Sequence, residues 1–258
     1  ERTDALVSDL AVVLARAPDD PFTPDVVAVP PPGIERFISQ GLGLRLGSTT
    51  GAADGLCANV AFPSPASVVN RVIAQATGMS PDEDPWLAQR AVWPLMQVMD
   101  DTAGEPWCKP LARHLGLDPT IEAPEWERLD RRFAVAARLA RLFASYASQR
   151  PALLLDWLEG GNGDGCGANI AQDLAWQPEL WRRLRAEIGS PGPAERLTQT
   201  CTALIADPDI VDLPARLSVF GPSRLPADQL QVLAALGSAR EVHLGLADAS
   251  PALWDSPS

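Results

Sequence analysis

Apolar residues recur every three or four positions along most of this chain, and four short, unbroken apolar runs interrupt that rhythm. Leu6, Leu10, Val13 and Leu14 share one face of a helix predicted over Thr3 to Arg16. A turn-rich link follows from Pro18 to Pro24. Asp25 to Val29 is apolar, β-branched and of strand length, and Pro30-Pro31-Pro32-Gly33 stops it. Ile34, Phe37, Ile38 and Leu42 then return to helical spacing. Strand, Pro/Gly turn and helix make half of a βαβ unit. Gly47 to Gly55 reads as a small-residue loop.

The stretch Cys57 to Arg71, CANVAFPSPASVVNR, divides the chain. Ala58 to Phe62 is expected as a buried strand, limited by Pro63 and Pro65, and a helix is expected to open at Ser67. From there to Pro208 the period is helical throughout. Helices are predicted over 67–76, 84–99, 109–115, 124–146, 151–158, 171–188 and 193–205, with Pro94 kinking the second. The stripe Leu129, Phe133, Ala136, Leu139, Leu142, Phe143 and Tyr146 is expected to be the buried face of the longest. Gly160-Gly161-Asn162-Gly163-Asp164-Gly165 reads as a flexible, solvated linker.

The α/β rhythm resumes with Leu217 to Phe220, a helix from Pro226 to Leu236 ended by Gly237, and Val242 to Leu246. Periodicity alone therefore gives an α/β fold with a large all-α insertion. Residues 1–66 and 209–258 form the α/β part and 67–208 a helical bundle.

Composition narrows the chemistry. The 258 residues are 46% hydrophobic, enough for a sizeable core. No apolar window has the length of a membrane span, and no signal peptide is evident. The chain begins on Glu1 and ends on Ser-Pro-Ser, which reads as a piece of a longer polypeptide. Four scattered cysteines and two histidines suit neither a zinc site nor a disulfide framework, so no metal or cofactor is expected. A net charge of -12 argues against broad nucleic-acid binding but leaves room for a local basic track.

No G-x-x-x-x-G-K-[ST] run follows any strand, and Leu217-Ser218-Val219-Phe220 leads into Gly221-Pro222-Ser223-Arg224 with no acid to hold magnesium. Asp82-Glu83-Asp84 and Asp100-Asp101 sit where solvated charge is ordinary, and no nucleophile–base pattern is present. What remains is cationic. Arg128, Arg131, Arg132, Arg138, Arg141 and Arg150 recur along the longest helix and its exit, and Arg182, Arg183 and Arg185 cluster beside Trp176 and Trp181. Two readings stay open: the solvated face of amphipathic helices, or a track for a single strand. Trp93, Trp126 and Trp181 are expected in the core.

The motif Asn59-Val60-Ala61-Phe62-Pro63-Ser64-Pro65-Ala66-Ser67 resembles the RecC family, the gamma subunit of exodeoxyribonuclease V. So do Asp20-Pro21-Phe22-x-Pro24, Gln149-Arg150-Pro151, Ala175-Trp176-Gln177-Pro178-x-Leu180-Trp181 and Leu225-Pro226 with Leu233-Ala234-Ala235-Leu236-Gly237, all in the family's order. The resemblance implies a degenerate first motor domain of a superfamily 1 helicase, P-loop NTPase-like in fold and not an enzyme by itself. It implies a cytoplasmic subunit of an ATP-dependent helicase–nuclease in double-strand-break repair and recombination. The implied partners are a RecB-like helicase–nuclease, a RecD-like helicase and single-stranded DNA, with no membrane.

It also implies strand-reading positions: Pro30, Pro32 and Arg36 after the second strand of the family's order, Ser64 and Asn70 in the dividing stretch, and Arg141, Leu142, Ala144 and Arg150 on the long helix. Only Leu142 and Arg150 keep the family's residue types. Proline offers no side-chain donor to a base edge, so these residues suit sequence-blind guidance of a strand better than recognition of the Chi signal. The candidate DNA-binding residues are thus Arg36, Ser64, Asn70, Arg141, Leu142 and Arg150. Two alternatives stand beside this reading: an ATPase cut off before its P-loop, and a purely structural interaction scaffold.

Overall fold

The computed structural model describes residues 3–16, 20, 22–30, 33–47, 55–116 and 125–246, with side chains from 131 onward in the last span. Pro31, Pro32, most of the 47–55 loop, Pro124 and the side chains of Trp126, Arg128 and Leu129 lie outside the described residues. The chain divides into two compact units. One comprises 1–76, 201–225 and 229–258, the other 77–200 with 226–228.

The first unit is α/β. In chain order it carries α1 (Thr3–Leu14), β1 (Asp25–Ala28), α2 (Ile34–Gly43), β2 (Val60–Ala61) and α3 (Pro65–Thr77). The second unit begins after α3 and holds α4 (Ala88–Asp101), α5 (Lys109–His114), α6 (Glu125–Gln149), α7 (Pro151–Leu158) and α8 (Trp176–Ile188). Helix α9 (Pro193–Ala206) returns the chain to the first unit, which closes with β3 (Arg216–Phe220), α10 (Ala227–Gly237) and β4 (Glu241–Gly245).

The four described strands form one parallel sheet in the order β2-β1-β3-β4. Parallel strands need helical crossovers and are covered on their faces. Val26, Val27, Ala28, Leu217, Val219 and Phe220 are accordingly all buried. On one side, α1 and α2 close over Val27, Val29 and Phe220 with Leu6, Leu10, Leu14, Ile38 and Leu42. At the amino ends of the strands, Arg216 on β3 donates to Asp25 on β1 at 2.6 Å and to the carbonyls of Val13 and Arg16. One half-buried guanidinium thereby ties α1 to two strands.

The dividing stretch departs from expectation. Its strand has two residues rather than five, and these are half-buried and exposed. Asn59 explains the shortening: it takes a left-handed conformation (φ 57°), so extended backbone starts only at Val60, and Pro63 has no N–H to continue the ladder. Helix α3 opens at Pro65 rather than Ser67. Ser64 is the cause: its Oγ accepts the Ser67 N–H at 3.1 Å, with Pro65 in the first helical position.

The second unit is built around aromatic rings. Phe143, Tyr146, Trp157, Trp181 and Trp86 form a chain in which successive ring centroids lie 5.9–6.3 Å apart. Leu95, Met99, Leu154, Leu180 and Leu184 fill the space between α4, α6, α7 and α8. Helix α4 starts at Ala88 rather than Asp84, because Pro81–Glu83 forms a separate 3₁₀ turn. Its core face is Ala91, Val92, Leu95, Val98 and Met99. Trp93 falls off that face and is 64% exposed, and Phe133 is 47% exposed, so neither lies in the core where it was expected.

The glycine stretch after α7 is not a loose linker. The Asp156 carboxylate accepts the Gly163 N–H at 2.7 Å, and Trp157 Nε1 donates to the Gly163 carbonyl at 2.9 Å. Asp164 accepts from the N–H groups of Cys166 and Ala168, and these bonds hold its carboxyl below the usual carboxylate range. Arg182 reaches in from α8 to the carbonyls of Trp157 and Gly161.

Candidate nucleic-acid interface

Helix α6 is long enough to show one face to the core and another to solvent. Ala136, Leu139, Ala140 and Phe143 point inward. On its outer side, Arg131, Arg138 and Arg141 line a groove of about 640 Å³, with His114 from α5 and Trp176 from α8. Leu111, Val135, Leu139 and Leu142 make its floor. Arg131, Arg138 and Arg141 are exposed, and among the described residues none of them has an ion-pair partner. Cations above an apolar floor, with Trp176 beside it, suit a ligand with an anionic backbone and flat, weakly polar rings.

Arg132, Arg182, Arg183 and Arg185 are committed to the fold. Arg132 pairs with Asp100, which removes it from the track. The cluster beside Trp176 is likewise structural. Glu179 binds Arg182 at 3.0 Å and Arg183 at 2.8 Å, and Arg185 grips Glu195 through two bonds of 2.6 and 3.0 Å. Burial pushes the Glu195 carboxyl up, but the Arg185 hydrogen bonds and the Gly192 N–H outweigh it and hold the group below its ordinary range. Trp181 is in the core, as expected, while Trp176 is only partly covered.

The six candidate positions divide between the units. Arg141 and Leu142 share the groove. Arg150 lies just past the end of α6, where its backbone opens α7 and its guanidinium reaches the Asp164 carbonyl at 3.5 Å. Ala144 is exposed on α6. In the α/β unit, Arg36 is exposed on α2, Asn70 is exposed on α3, and Ser64 caps α3. The turns after β1 and β2 are joined, since the Val29 N–H donates to the Pro63 carbonyl at 2.8 Å.

Motor chemistry would need a lysine-bearing phosphate loop and an acid at the carboxyl ends of these parallel strands. The described residues there are Val29-Pro30, Phe62-Pro63-Ser64, Gly221-Pro222-Ser223-Arg224 and Leu246, with neither a lysine nor a carboxylate. Gly33 opens α2 in a left-handed conformation (φ 102°). The acids of the sheet, Asp25 and Glu241, are at the opposite, amino ends of β1 and β4. Among the described residues no cluster of histidine, cysteine and carboxylate side chains could hold a metal ion, and no helix is long and apolar enough to cross a membrane.

The family profile described as RecC, N-terminal domain, matches residues 1–258. The chain belongs to the RecC family. The RecBCD enzyme subunit RecC of Mycobacterium tuberculosis (strain ATCC 25618 / H37Rv) is 46% identical over 254 residues, covering 98% of this chain and 22% of the relative. The RecC subunit of Mycolicibacterium smegmatis is 44% identical over 258 residues, covering all of this chain and 21% of the relative. That of Escherichia coli (strain K12) is 28% identical over 254 residues, covering 94% and 20%. The chain thus spans about a fifth of the length of the RecC relatives it matches. The arginine positions inside α8 were the misleading part of the sequence: Glu179 at i−3 and i−4 signalled the pairing of Arg182 and Arg183, whereas nothing local pointed from Arg185 to Glu195.

Proposed function

We propose that this chain is the N-terminal, motor-like but non-catalytic part of a RecC subunit, and that it guides a single DNA strand inside a RecBCD-type helicase–nuclease. The observation that carries the reading is the groove on α6, where three exposed arginines without ion-pair partners among the described residues stand over an apolar floor on a chain of net charge -12. Phosphates are held by such cations and bases by such floors, without regard to sequence. The carboxyl edge of the sheet, lacking an acid or lysine among its described residues, supports a degenerate superfamily 1 motor fold that no longer turns over nucleotide. The relatives' name, RecBCD enzyme subunit RecC, supports RecB-like and RecD-like partners; a role in double-strand-break repair and recombination, in the cytoplasm, completes the proposal.

The test is binding of mixed-sequence and homopolymer single strands across a salt series. Affinity should fall steeply with salt and ignore sequence. Each phosphate contact contributes about 0.7 to the logarithmic salt slope on single strands, so removing Arg131, Arg138 and Arg141 together should lower the slope by about 2. Absence of binding at low salt, or an unchanged slope in the triple variant, would favour a pure interaction scaffold instead.

A further inference from the structure

Trp93 and Phe133 are large aromatic side chains on the surface of the helical unit, 64% and 47% exposed. Their ring centroids are 5.9 Å apart, with planes tilted by 50°. They stand at a groove of about 320 Å³ between α4 and α6, completed by Gln89, Val92, Ala137 and Arg141. Among the described residues no carboxylate lines it. Arg141 also lines the arginine groove, so the two grooves meet at one guanidinium.

From this juxtaposition we infer that Trp93 and Phe133 form a stacking station for a base of a single nucleic-acid strand, with Arg141 holding the adjoining phosphate. The inference rests on the strand-guiding reading above and adds to it the contact made to the bases. Exposure of both rings is costly to solvation and serves no packing that α4 needs, since Ala91, Val92, Leu95, Val98 and Met99 already fill its core face. The occupant is chosen by charge. On a chain of net charge -12, a groove with a cation at its rim and no acid among its described lining residues favours an anionic partner. Base–aromatic stacking is tolerant of sequence, as a guiding surface requires.

The experiment compares a single-stranded oligonucleotide with an abasic strand of the same length and charge, on the full-length protein with the subunits that co-purify with it. The wild type should bind the base-bearing strand more tightly. Trp93→Ala should weaken that binding about tenfold or more and leave the abasic strand nearly unaffected, while Trp93→Phe should restore most of the difference. The salt slope should not change, because no cation is removed. Trp93→Ala keeping the full preference for bases would overturn the stacking station and leave strand guidance standing. Equal wild-type affinity for both strands would do the same. Loss of a co-purifying subunit in Trp93→Ala, with base preference intact, would assign the patch to a protein partner and also overturn it. No binding of either strand by the wild type would overturn both readings.

Discussion

Breaking the Asp84–Arg196 pair should cost the helical unit far more than removing the pair altogether. Arg196 on α9 is 5% exposed, and its guanidinium donates to Asp84 Oδ2 at 2.5 Å. Among the described residues its Nε has no partner, so the carboxylate is the main compensation for a buried charge. Asp84 Oδ1 also accepts the Trp86 N–H at 2.9 Å. Neighbouring Glu195 attracts Arg196 only through space, because its hydrogen bonds go to Arg185 and the Gly192 N–H. Asp84→Asn keeps an acceptor for Trp86 and removes the charge, and stranding a buried guanidinium costs about 3–5 kcal/mol. Asp84→Asn combined with Arg196→Met should recover most of that loss, because an apolar side chain of similar length needs no counter-charge. Denaturant unfolding followed by tryptophan fluorescence is the assay. Seven of the eight tryptophans fall between residues 77 and 200, so the signal reports the helical unit. A double variant that loses the sum of the two single losses would refute the argument, because the penalty would then not come from the unpaired charge.

Three further outcomes are expected. Ser64→Ala should destabilise the α/β unit by about 1 kcal/mol by removing the cap of α3, and Ser64→Asp should recover most of it, as read by thermal unfolding. Glu195 is held below its ordinary range, so its contribution is complete above the ordinary carboxylate pKa of 4.5 and is lost as pH falls through the lower folded value; Glu195→Gln should flatten the acid limb of a stability-versus-pH curve. Gly161→Ala would place a methyl 2.2 Å from Asp156 Oδ1, evicting the carboxylate from the Gly163 N–H, with a loss of about 1–3 kcal/mol and faster amide exchange at Gly163.

The order of elements could be read from the chain because proline and glycine punctuate it. Pro30 after β1, Gly221-Pro222 after β3 and Gly237 at the end of α10 each stop an element where its own chemistry requires. The exposure of Trp93 was also present in the pattern: it is out of phase with Ala91, Leu95 and Val98, and only the habit of burying tryptophan put it inside. The shortened β2 was harder to see, since asparagine at position 59 permits a left-handed turn without demanding one. Least legible was the division of the arginines. Whether Arg132 or Arg131 is available to a ligand depends on Asp100, which is distant in sequence and carries no local signal. The groove itself is assembled from α5, α6 and α8, and no single window of the chain contains it.

Strand β4 has a practical consequence. It is an edge of the described sheet, and its Leu244 is 45% exposed. Glu241, paired with Arg16 and His243, places charge at its amino half, while Leu244, Gly245 and Leu246 carry none. Among the described residues no strand pairs with its outer edge, and a row of backbone donors and acceptors beside an apolar stretch is a template for another strand. Solutions of the isolated chain should therefore thicken into strand-paired aggregates as concentration rises, and a lysine at position 244 should keep them clear.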